Sequence, residues 1–204
     1  MKSILSSARL LPAIVALFPT LAHADGYAAL DVGLAHRTGV YGWNGPSAGS
    51  GAPAPIEFDG RIQGTGVLAH LALGGTFRRR WSIAGEGGLG FLTGDSSGIP
   101  HTGVSQLYLG RLGLRVERRF GESFFLRGAA GFEWVGFGYS QASIGSPDNV
   151  FDGESTRGIY AGVTAGVRGR HVGGFLRADV AHEVSEHGRY TPITLSLGID
   201  FTWL

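Results

Sequence analysis

The sequence predicts an all-β fold, an eight-stranded antiparallel up-and-down transmembrane β-barrel, and three observations carry that expectation. Apolar residues occupy every second position in eight separate segments, the connections between segments alternate long and short, and the interleaved charges nearly balance. The chain has 204 residues, with 36 glycines, no cysteine, 43% hydrophobic and 16% charged residues. That is too apolar for a disordered segment and too interrupted for membrane-spanning helices. Seventeen basic against sixteen acidic residues leave no basic surplus for a nucleic-acid partner. Without cysteine, disulfide stapling is excluded, so the chain must be held by packing or by closing a sheet.

Residues 1–24 read as a secretory signal peptide. Lys2 and Arg9 precede an apolar run from Leu10 to Phe18, and Ala22-His23-Ala24 gives the small-x-small pattern of a cleavage site. A transmembrane anchor would need ~20 apolar residues, and this run is shorter and ends at Pro19. Cleavage after Ala24 leaves one domain over 25–204, with no lysine and a formal charge of −1. No later apolar stretch approaches helical spanning length, so any membrane span must be made of strands.

The strands follow in order. Ala28, Leu30, Val32 and Leu34 alternate with Asp31, Gly33 and Ala35; Val67, Ala69, Leu71, Leu73 and Phe77 alternate with Gly66, His70, Ala72 and Gly74. Trp81, Ile83, Leu89 and Phe91 surround Glu86 in the third segment. Tyr108, Leu112, Leu114 and Val116 stand against Arg111, Gly113, Arg115 and Glu117, and Leu126, Ala130, Phe132 and Trp134 against Arg127, Gly131 and Glu133. Ile159, Ala161, Val163, Ala165 and Val167 alternate with Gly162, Thr164, Gly166 and Arg168; Leu176, Ala178 and Val180 alternate with Arg177 and Asp179. The eighth segment sets Ile193, Leu195, Leu197, Ile199, Phe201 and Trp203 against Thr194, Ser196, Gly198, Asp200 and Thr202.

Between them, long connections are expected at Thr38–Asp59, Thr93–Gly103, Ser140–Thr156 and Ser185–Thr191, and tight ones at Arg78-Arg79-Arg80, Gly121-Glu122 and Gly169–His171. A barrel inserted from one side has this asymmetry, with both termini on the tight-turn, periplasmic side. Alternation alone does not say which face is inward, and a soluble lipocalin-type barrel would hold its apolar set inside. Two features favour lipid outside. Six acids and five bases share the opposite face, and aromatics gather near segment ends: Phe77, Trp81, Phe120, Phe124, Phe201 and Trp203 beside tight turns, and Phe91, Tyr108, Trp134 and Tyr139 toward long loops.

The last strand, from Ser196 to Leu204, resembles the β-signal of bacterial outer-membrane proteins, with Ser196, Gly198, Phe201 and Trp203 at its polar, glycine, hydrophobic and aromatic positions and Leu204 as one extra residue. The resemblance implies recognition by the barrel-assembly machinery. Over residues 25–204 the layout is similar to the small eight-stranded barrels of the OmpA transmembrane-domain, OmpX and opacity-protein type, which implies the outer membrane of a Gram-negative bacterium, a porin-like architecture and no cofactor.

An eight-stranded barrel is only wide enough for its own side chains to fill. The expected lumen network comprises Asp31, Glu86, Arg111, Arg115, Glu117, Arg127, Glu133, Arg168, Arg177, Asp179 and Asp200, charges that must pair because an unpaired charge in so narrow an interior costs several kcal/mol. A structural or surface-interaction role is expected, with a narrow solute channel or a lipid A-modifying enzyme as alternatives. Candidate catalytic residues for the latter are His182, Ser185 and His187, beside Glu183 and Glu186, the residue types of a Ser-His-Glu triad within one loop. Expected partners are outer-membrane lipid, lipopolysaccharide and a surface ligand of unspecified kind. No loop has calcium-ligand spacing, so no metal is expected.

Overall fold

The structure, a computed structural model, describes residues 25–46, 55–78, 80–97, 104–139, 155–185 and 188–203. The expected signal segment, His187 and most long-loop residues lie outside these. Eight strands follow one another: β1 (Asp25–Pro46), β2 (Pro55–Phe77), β3 (Trp81–Ser97), β4 (Val104–Phe120), β5 (Phe124–Tyr139), β6 (Ser155–Arg168), β7 (Val172–Val184) and β8 (Gly188–Trp203). Each is antiparallel to the next, and β8 pairs with β1, so the sheet closes on itself without a crossover.

The register fixes the shape of the barrel. Ladder partners followed once around run from Ala28 through Leu73, Gly85, Leu114, Ala130, Ala161, Val180 and Ile193 back to Thr38, ten residues further along β1. A stagger of that size tilts the strands by roughly 40°. Closure also removes every free strand edge, which a membrane interior cannot tolerate.

At one rim the connections are tight. Gly121 takes a left-handed φ of 66°, a conformation glycine adopts without steric cost. Backbone hydrogen bonds continue past the strand ends, with Arg119 N–H donating to Arg80 O (2.8 Å) and Arg168 N–H to Ser123 O (2.7 Å). At the other rim the strands run further than the sequence suggests. The expected loop from Thr38 to Asp59 is mostly ladder, because β1 and β2 stay paired up to Pro46 and Pro55. Period two persists through this Gly-rich stretch: Tyr41 and Ile62 are buried inside while Val40 faces out. For the same reason β3 continues to Ser97 and β8 begins at Gly188.

The exterior is apolar. Thirty large hydrophobic side chains stand exposed among the described residues, led by Leu89 (71%), Phe132 (68%) and Leu176 (67%). No water-soluble surface carries a continuous patch of this kind, so the wall faces acyl chains. Phe77, Phe120, Phe124 and Trp203 ring the tight-turn end, and Phe91, Tyr108 and Trp134 stand toward the other. Trp81 and Phe91 are ten residues apart on β3; at ~3.3 Å per residue and the tilt above, the apolar band between the rings is ~25 Å high. Trp134 lies flat on the wall because Gly110 leaves the space: a Cβ there would meet the indole at 1.9 Å. This glycine gives a neighbouring aromatic a surface to cover.

Candidate functional site

The lumen is the chemically distinctive part of the molecule. Strand alternation turns Asp31 of β1, Glu86 of β3, Arg111, Arg115 and Glu117 of β4, Arg127 and Glu133 of β5, Arg168 of β6, Arg177 and Asp179 of β7 and Asp200 of β8 inward, and all are buried. Among the described side chains, β2 alone of the eight strands contributes no formal charge to the lumen. Its inward residues include Ile62, Leu68, His70 and Ala72, with His70 the one titratable group among those described.

These residues form a single alternating chain of arginines and carboxylates. Nearest the tight turns, Glu117 accepts from Arg168 (3.0 Å), Arg127 (2.6 Å), Arg119 (3.1 Å) and the Tyr27 hydroxyl (3.2 Å). Arg127 also donates to Asp31 (3.0 Å) and to Asp200, which takes a second bond from Arg168. Asp31 passes the chain to Arg115, which reaches Glu86 at 2.6 Å. Arg177 joins Glu86 (2.9 Å) to Asp179 (2.8 Å), and Arg111 joins Asp179 (2.8 Å) to Glu133. At the outer end Arg37 bridges Glu133 (2.8 Å) and Glu183, and Thr156 donates to Glu183.

Seven arginines and seven carboxylates take part, so the chain neutralises itself over the thickness of the apolar band. Planar guanidinium groups suit this role, because each presents a fork of donors to more than one carboxylate. Arg127 and Arg168 also lie over the Phe125 ring, at 4.2 and 4.4 Å from its centroid, which fills the remaining space with a cation–π contact.

Toward the long-loop rim the filling changes character. Ile62, Leu68, Leu92, Leu107, Leu109 and Val135 form an apolar cluster on the β2–β5 side. Tyr41, Phe137 and Tyr190 belong to the same cluster, their ring centroids 6.2–6.3 Å apart. Tyr190 also lies beneath Arg37 (5.3 Å) and donates to Ile62 O at 3.3 Å, so the outer end of the ionic chain abuts packed rings.

Three members of the chain, Arg37, Arg119 and Glu183, are absent from the expected network. All were legible in principle: Arg37 is in phase with Asp31, Arg119 with Arg115 and Glu117, and Glu183 with Arg177 and Asp179. Ending the first strand near Ala35, ending the fourth alternation at Glu117 and reading 182–187 as a loop hid them.

Of the candidate catalytic residues, the two that are described, His182 and Ser185, have different partners. His182 and Glu183 are adjacent on β7 and therefore point to opposite walls: Glu183 is buried in the lumen and His182 faces outward, its Nδ1 3.3 Å from Thr191 Oγ1. Ser185 is half-buried beside Tyr41 (3.0 Å between hydroxyls) and donates to Gly188 O at 3.4 Å. His187 lies outside the described residues. Of the β8 residues read as an assembly signal, Ser196 is turned inward and buried, Gly198 packs against the β1 backbone at Gly33, and Phe201 and Trp203 face the lipid side.

No protein-family model matches the chain, and no curated protein sequence matches it. The outer membrane protein OprG from Pseudomonas aeruginosa matches in structure with a TM-score of 0.57 at 9% identity, covering 89% of this chain and 97% of OprG. The chain has the fold of the eight-stranded outer-membrane barrels. Two crystal structures of Ail, the attachment invasion locus protein of Yersinia pestis, one of them in complex with the heparin analogue sucrose octasulfate, are similar at 13% identity. Their TM-scores are 0.48 and 0.45, and each match covers 87% of this chain and 99% of Ail.

Proposed function

We propose that the protein is exported across the inner membrane on its N-terminal signal and inserted in a Gram-negative outer membrane, where it serves as a structural or surface-interacting barrel and not as a conduit. The observation that carries this reading is the filled lumen. A pore needs water along its axis, whereas here every arginine of the ionic chain is held by at least one carboxylate and the outer end is packed with apolar side chains. With the interior committed to stability, contact with the surroundings falls to the long-loop rim and the outer wall. Insertion by the barrel-assembly machinery, through Ser196, Gly198, Phe201 and Trp203, belongs to this reading.

Planar-bilayer recording tests it. The purified protein should give no unitary current steps over a wide voltage range. Discrete steps that vanish in Arg111→Glu would replace this reading with a solute channel.

A further inference from the structure

The outer wall is not uniform around its circumference. Where the aromatic ring ends, cations begin: Arg157 of β6 is the ladder partner of Trp134. Arg157 and Arg189 of β8 flank Val184 of β7 on either side in one ladder row, all three exposed. His182 stands two residues below Val184 and faces the same way. Neither arginine has an ion pair among the described residues, and no carboxylate there faces outward on β6, β7 or β8; the nearest outward one is Asp59 of β2, which continues the row beyond Gly42, the ladder partner of Arg189. Two cross-strand polar pairs stand at this level, His182 with Thr191 and His36 with Thr65 (Nδ1–Oγ1 2.8 Å).

Lower on the same strands, and about 13 Å around the wall because the strands tilt, lies an apolar groove of about 550 Å³ on the lipid-facing side. Ala165 and Ala178 make its floor, and Leu34, Val163, Leu176 and Leu195 stand around them. The ladder row Val163, Ala178, Leu195, His36, Thr65 joins this groove to the polar pair on β1 and β2. From Ala178 to Val184 is six residues along β7, or ~15 Å along the membrane normal, the depth of one leaflet's hydrocarbon.

We propose that this wall is a binding site for one phosphorylated, multiply acylated glycolipid of the outer leaflet, the lipid A portion of lipopolysaccharide. One acyl chain lies in the Ala165–Ala178 groove, and a phosphate is held between Arg157 and Arg189 with His182 beneath it. Charge complementarity selects the headgroup, and short side chains flanked by branched ones select a chain over a flat protein face. The cations stand at the long-loop rim, so the lipid belongs to the outer leaflet. The site rests on the membrane-spanning reading above but not on whether the lumen conducts.

Native mass spectrometry of the folded protein in mild detergent, titrated with purified bis-phosphorylated lipid A, tests it. Wild type should retain one lipid A per barrel, at least tenfold more tightly than phosphatidylglycerol. The double variant Arg157→Gln/Arg189→Gln, and separately Ala178→Phe, should each weaken retention at least tenfold, while Arg118→Gln at the opposite rim should leave it unchanged. Heat-shifted gel mobility verifies that each variant is folded. Equal retention by wild type and both variants, equal retention of phosphatidylglycerol, or a lipid-free protein dimer would overturn the site. A bilayer-silent, heat-modifiable barrel that ignores lipid A would sink this inference and leave the plugged-barrel reading standing.

Discussion

The inner and outer walls of the barrel are built from the same strands, one residue out of step, yet they are specified in different ways. On β4, Leu112, Leu114 and Val116 face lipid, while Arg111, Arg115 and Glu117 face the lumen. Away from the Ala165–Ala178 groove, the outer residues need only be apolar, because a lipid tail adapts to any shape offered to it. Each inner charge is tied to named partners on other strands: Arg127 alone holds Glu117, Asp31 and Asp200, contributed by three different strands. The outside therefore tolerates exchange within a chemical class, and the inside does not.

The comparison breaks most sharply at Arg127. Arg127→Leu leaves three buried carboxylates short of a donor and should lower unfolding stability by about 3–5 kcal/mol, read from urea or guanidinium titrations in lipid vesicles. A loss under 1 kcal/mol would mean that water already reaches those carboxylates. On the outer wall, Leu114→Arg places a charge in the apolar band and should cost about 2–4 kcal/mol in the same assay. No loss there would mean that the position does not see lipid. Glu183→Gln at the end of the chain should cost only about 1 kcal/mol, since Arg37 keeps Glu133 as its partner. The smallest effect is expected for Leu114→Ile, within roughly 0.5 kcal/mol of wild type. A larger change would show that the outer wall is packed against something with a fixed shape.

Much of this was legible in the sequence because period two assigns a wall to every residue once a strand is phased. The eleven expected lumen charges are buried together, and aromatic positions such as Trp81 and Phe91 bracket the apolar band. Strand ends were less legible. Glycine and proline between Thr38 and Asp59 read as loop, yet the ladder continues there since Tyr41 and Ile62 still find an interior to fill. That misplacement removed Arg37 from view, and a loop reading of 182–187 set His182 beside Glu183 when the strand places them on opposite walls. Which carboxylate pairs with which arginine was beyond the sequence altogether. It depends on the ten-residue stagger of the closed sheet, a property of all eight registers at once.

The central claim is the sidedness of the strands, and the absence of native cysteine makes it directly measurable. Single cysteines placed in turn at 111, 112 and 114–117 of β4, labelled with a nitroxide in lipid vesicles, report collisions with oxygen and with a water-soluble nickel reagent by electron paramagnetic resonance. Even-numbered positions should be oxygen-accessible and nickel-protected, and odd-numbered ones immobilised and shielded from both. Oxygen access at the odd positions, nickel access at the even ones, or no alternation would contradict an apolar wall in lipid around a charge-filled lumen.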